Sequence, residues 1–93
     1  MVTVDIILFA TLRDKYRVRK IVVECDGTTR NLIENAARRL GKSFLASVYD
    51  SDKDKVRDDL IFAINGRNIK DLKGKIELKN DDVVAIFPPV AGG

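Results

Sequence analysis

The sequence predicts an α+β domain in which one amphipathic helix covers a mixed sheet. Three observations carry this. β-rich runs alternating at period two open and close the chain, one segment near its middle repeats apolar residues at the helical period, and Gly, Asp and Asn punctuate the joints between them. At 93 residues there is room for one core only. The chain is 45% hydrophobic and 33% charged, a globular balance, and with 6% aromatic residues and no Trp its core must be largely aliphatic.

Val2 to Ala10 reads as the first strand, with Val4, Ile6 and Leu8 on one face and Asp5, Ile7 and Phe9 on the other. Thr11 to Arg19 is polar and reads as a loop or wide hairpin connection. Lys20 to Cys25 is a second strand, broken by Asp26-Gly27. Thr28 to Leu40 is the helix: Leu32, Ile33, Ala36, Ala37 and Leu40 form its apolar stripe. Thr28 or Thr29 can serve as N-cap, Arg38 and Arg39 suit the negative end of the helix dipole, and Gly41 suits the C-terminal cap. Ser43 to Tyr49 reads as a short helix or an irregular apolar stretch, and Asp50 to Asp59 as a solvated charged loop. Leu60 to Asn65 is a strand with Leu60, Phe62 and Ile64 on one face, ended by Gly66; Arg67-Asn68-Ile69 can begin a short return strand. Asp71 to Leu78 suggests a turn or a single helical turn. Val83 to Phe87 is the last strand, with Val84 and Ile86 inward and Val83, Ala85 and Phe87 outward. The order β-β-α-β-(β)-β, with the last strand returning parallel to the first after the helical crossover, is that of a ubiquitin-like β-grasp.

Composition excludes many functions. Without His there is no Ser-His or Cys-His pair and no His-containing metal site. The single Cys25 removes thiolate zinc clusters, redox dithiols and any internal disulfide, which suits a reducing cytoplasm. There is no glycine-rich phosphate loop. The net charge is +3, but the signs are interspersed, so neither nucleic acid nor a membrane surface is expected as a partner. No apolar run approaches the ~20 residues of a membrane span, and no signal peptide is expected at Met1. The balance favours a carrier or binding module over a stand-alone enzyme.

The sequence closes Pro88-Pro89-Val90-Ala91-Gly92-Gly93. The expected division is a domain over residues 1–87 and a flexible tail over 88–93. The prolines end the strand and keep the chain extended, and such a tail reaches about 20 Å. A bare Gly-Gly carboxylate passes a narrow channel and is unhindered toward activation, so it suits a substrate whose catalytic residues lie on partner proteins.

Ile7-Leu8-Phe9-Ala10 with Leu12-Arg13-Asp14 in the loop after it, Asp26-Gly27-Thr28-Thr29, Ile64-Asn65-Gly66-Arg67 and the run from Asp81 through Phe87-Pro88-Pro89-Val90-Ala91-Gly92-Gly93 together resemble the small, sulfur-carrier subunit of molybdopterin synthase. The resemblance runs from end to end, and the FPPVAGG ending is its specific part. It implies that Gly93 is adenylated by a ubiquitin-activating-like enzyme and converted to a thiocarboxylate by a sulfur donor. It implies further that Pro88, Pro89, Val90, Ala91 and Gly92 insert into the large catalytic subunit, where the sulfur enters the dithiolene of molybdopterin. No tightly bound cofactor and no metal are implied for this chain; ATP belongs to the activating enzyme. Two other readings share this chemistry: a protein modifier joined through Gly93 to target lysines, and a sulfur carrier for thiamine or tRNA thiolation. The charged excursion at residues 50–59 looks longer than the family pattern.

Ile7, Phe9 and Phe87 are expected close together on the sheet face away from the helix, as a partner-binding patch. Arg13 either pairs with a partner carboxylate or is a solvated charge. Asp50, Asp52 and Asp54 have calcium-loop spacing, but Lys55 and Ile61 occupy the positions that need Gly and Glu, so calcium is rejected. Asn65-Gly66 reads as hairpin chemistry and Cys25 as a small buried hydrophobe.

Overall fold

Five strands form one mixed sheet in the computed structural model, which describes residues 1–89. In chain order the elements are β1 (Val2–Leu8), α1 (Ala10–Tyr16), β2 (Lys20–Cys25), α2 (Thr29–Leu40), α3 (Ser43–Val48), β3 (Tyr49–Asp50), β4 (Lys55–Val56), β5 (Ile61–Ile64), β6 (Arg67–Asn68), a 3₁₀ turn (Ile69–Asp71) and β7 (Val83–Phe87). The sheet order is β2-β1-β7-β5-β6, and β3 and β4 pair separately. β1 runs parallel to β7, Ile6 opposite Val84 and Leu8 opposite Ile86, while β1–β2 and β5–β7 are antiparallel. This is the ubiquitin-like β-grasp, with α2 packed across the sheet.

Val4, Ile6, Leu8, Phe62, Val84 and Ile86 are buried on the inner face, under Leu32, Ile33 and Ala36 of α2; Ile64, Ala37 and Leu40 flank this core half-buried. The start of α2 is held by a closed set of hydrogen bonds. Thr28 Oγ1 accepts from the Asn31 amide at 3.1 Å and donates to Asp26 Oδ1 at 2.6 Å, and Asn31 Oδ1 accepts from the Asp26 amide at 2.8 Å. Thr28 is therefore the N-cap. The Thr28 hydroxyl, followed by its amide, holds the Asp26 carboxyl below its ordinary range.

Two segments differ from the sequence expectation, and in a third the structure decides between alternatives. Residues 11–19 are not a loop throughout: Ala10–Tyr16 is helical, because Leu12 turns into the core and Tyr16 packs edge-on against buried Phe44, ring centroids 5.4 Å apart. Residues 50–59 are not simply a solvated loop either. Tyr49–Asp50 pairs with Lys55–Val56, and Val56 and Tyr49 are buried. Between the two expected alternatives, Ser43–Val48 is helix.

Asn65-Gly66 is a two-residue hairpin turn between β5 and β6, with φ of 51° and 83°. Asn65 also fastens β7: its Oδ1 accepts from the Val83 amide and its Nδ2 donates to Asp82, both at 2.9 Å.

Candidate functional site

The outer face of the sheet is built by the strand residues that alternate away from the core. Ile7 lies opposite Ala85, and Ala85 opposite Ala63; one step on, Phe87 lies opposite Ile61. Phe9 follows β1. Its amide donates to the Ile86 carbonyl at 3.2 Å, extending the parallel ladder, while its own carbonyl accepts from Leu12 and Arg13 and starts α1. Backbone bonds on both sides thus fix Phe9, and its ring stacks on Phe87 with centroids 4.2 Å apart and planes 10° from parallel. That stacked pair is half-exposed, and Ile61 beside it is 45% exposed. The result is a contiguous apolar platform at the root of the terminal segment.

The structure thus brings Ile7, Phe9 and Phe87 together as expected. Arg13 stands one helical turn beyond Phe9 on α1, rather than in a loop, with its Nε 3.7 Å from the exposed Asp14 carboxylate. Sequence reading missed Ile61 as a member of this surface. The alternation of residues 60–64 was the available signal, since outward Ile61 must then meet the outward face of the last strand. Pro88 is half-buried and Pro89 exposed just beyond the platform. Val90, Ala91, Gly92 and Gly93, to which the sequence assigns the chemistry, lie outside the described residues.

Other candidate groups are structural. Cys25 is fully buried, and burial pushes its thiol pKa up, so it is a poor thiolate. Asp50 Oδ1 is taken by the amides of Asp52 and Lys53, and Asp54 Oδ1 by the Tyr49 hydroxyl at 2.8 Å and by Arg30 at 3.3 Å. These carboxylates hold a hairpin together, and no cluster able to hold a metal ion exists among the described residues. Among the described residues, no helix is long and apolar enough to cross a membrane.

The model of the ThiS family matches residues 6–93. The chain belongs to the ThiS family. With its β-grasp fold it is a ubiquitin-like sulfur carrier, of a kind that is generally non-catalytic. The solved structure of small archaeal modifier protein 1 from Methanosarcina acetivorans is 26% identical to this ThiS-family chain, covers 100% of it and 98% of its own chain, and has a TM-score of 0.79. A Pyrococcus furiosus protein, provisionally described as molybdopterin converting factor, subunit 1, is 33% identical with a TM-score of 0.67, covering 97% of this chain and 100% of its own. CysO, solved in the BexX/CysO complex of Amycolatopsis orientalis, shares the fold at 21% identity and a TM-score of 0.79, over 97% of this chain and 99% of its own. No curated protein matches the chain in sequence.

Proposed function

We propose that this chain carries sulfur for the dithiolene of molybdopterin, as the small subunit of molybdopterin synthase in the cytoplasm, with the sulfur on the carboxyl carbon of Gly93. The Gly93 carboxylate attacks ATP on a ubiquitin-activating-like enzyme, forming an acyl adenylate and releasing pyrophosphate. A sulfur nucleophile then adds to the carbonyl and AMP leaves, so a thiocarboxylate replaces the carboxylate. A persulfide donor requires in addition a thiol to cleave the S–S bond. ATP is bound by the activating enzyme, and the catalytic residues lie on the large subunit.

The observation that supports this best is the stacked Phe9–Phe87 platform immediately before Pro88-Pro89. A partner seated on that apolar surface, with Ile7 beneath and Arg13 at its edge, receives Pro88, Pro89, Val90, Ala91 and Gly92 as an extended strand. Gly92 and Gly93 then pass a channel that admits no side chain. The choice of pathway rests on the FPPVAGG ending and on the likeness to the Pyrococcus furiosus protein. Intact-mass measurement after incubation with ATP, an activating enzyme and a sulfur donor tests it: one oxygen should be replaced by sulfur. Addition of a large subunit and the sulfur-free pterin should then yield molybdopterin.

The likeness to small archaeal modifier protein 1 supports a second reading, in which the same acyl adenylate is passed to lysines of target proteins. Isopeptide-linked conjugates, formed with no thiocarboxylate and no pterin product, would decide for it.

A further inference from the structure

The flank of α2 beside α3 carries a groove separate from the Phe9–Phe87 platform. It lies between α2 and α3, has a volume of about 510 Å³, and is lined by Glu34, Ala37, Arg38, Gly41, Lys42 and Leu45. Its floor is mostly carbon: Ala37 and Leu45 are half-buried, and Gly41 leaves bare backbone with nothing within 4 Å of where a Cβ would stand. Its rim is cationic. Arg38 and Lys42 are exposed and form no salt bridge among the described residues, whereas Glu34, the one acid in the lining, is engaged by Arg30 at 3.6 Å.

The surroundings reinforce that sign. Exposed Arg39 reaches across to the Val22 carbonyl, which brings the end of α2 beside the start of β2. Tyr16 and Ser43 hydroxyls meet at 2.9 Å, which brings the end of α1 beside the start of α3. Exposed Arg17 and Arg19 therefore stand at the same end of the molecule, also without a carboxylate partner among the described residues. Arg38 and Lys42 on the rim, with Arg17, Arg19 and Arg39 near that end of the fold, thus give the cleft a cationic border although the sequence charges are interspersed.

We propose that this groove docks an acidic protein segment, its aliphatic side chains on Ala37 and Leu45 and its carboxylates on Arg38 and Lys42. The charge complements the rim, and the apolar floor complements what a purely electrostatic ligand lacks. A nucleic acid fits less well, because the groove presents no aromatic ring on which a base could stack. Since this groove is separate from the platform, its occupant can be bound while the platform is also occupied.

The test uses the full chain and a blocked acidic peptide, acetyl-EELEDLEE-amide, followed by amide chemical shifts. Binding should perturb Ala37, Gly41, Lys42 and Leu45 first, and should weaken as salt is raised. The pair Arg38→Glu and Lys42→Glu, exposed positions whose change should lower the melting temperature by only a few degrees through the reversed charge at the end of α2, should lower affinity about tenfold or more. Replacing both peptide leucines by serine should also lower it about tenfold, which a mere charge attraction would not require. Unchanged affinity in the charge-reversed protein, or shifts scattered over Arg17 and Arg19 without focus at Ala37 and Leu45, would overturn the proposal. So would tighter binding of oligouridylate at the same amides, or concentration-dependent shifts there in the free protein, which would assign the groove to a second copy.

Discussion

Phe87 sits where the core stops and the outer face begins: Ile86 before it is fully buried, and Pro88 after it is half-buried. Its ring rests on Phe9 rather than in the interior, so Phe87→Ala should cost about 1–2 kcal/mol in a denaturant melt, less than a core truncation. Binding should suffer more, by about 2 kcal/mol or above, in a calorimetric titration against the proposed large subunit. Equal losses in both measurements would make Phe87 a structural residue only. Tyr49 invites a different experiment. Burial, then its hydrogen bond to Asp54, pushes the phenol from 10.0 up to about 12. Because the folded value exceeds the unfolded one, the neutral phenol's contribution is complete below pH 10 and is lost as pH rises through 12. Alkaline melts should therefore lose stability more steeply in the parent than in Tyr49→Phe, a comparison in which the titrating lysines cancel.

At the scale of elements, legibility followed how much each segment depends on its own residues. α2 could be read in advance because stripe, cap and terminator are all local to it. Thr28→Ala should cost about 1 kcal/mol. It also removes one of the two donors that Thr28 offers Asp26, the hydroxyl, while the amide remains; the Asp26 carboxyl should rise toward 3.8 in an NMR titration. An unmoved Asp26 would mean that the hydroxyl is not what holds it. α1 was not legible, because in a polar run only Leu12 is buried and the contact that fixes Tyr16 comes from Phe44, far along the chain. The spacing of Phe9, Leu12 and Tyr16 was the one local hint. The β3–β4 hairpin was hidden for a similar reason. Val56 is a lone apolar residue among charges, and its burial depends on α2 and Tyr49 lying beside it. Of the candidate site, the Phe9–Phe87 encounter was legible from strand parity, whereas Ile61 required the β5–β7 register.

For the whole molecule, the parallel β1–β7 pair makes the first and last strands of the sequence the centre of the sheet, so the fold closes only when nearly the entire chain has been used. Ile86 lies at this centre, opposite both Leu8 and Phe62 and fully buried. Ile86→Ala should destabilise the domain by about 2–5 kcal/mol, through lost transfer energy and the cavity left behind. Deleting Gly93 should leave stability alone and affect the chemistry instead. Every buried residue among those described lies at or before Ile86, so the described core closes before the last glycine. The deletion should leave the melting temperature within a degree or so of the parent's, as expected away from packed sites. On the proposed function it should also abolish the oxygen-for-sulfur mass change, because the carboxyl that meets ATP would then sit one residue short of its channel. The two variants therefore separate stability from chemistry in opposite directions. A chain lacking Gly93 that still gained sulfur would remove the carrier mechanism, and one that failed to fold would remove the division between domain and tail.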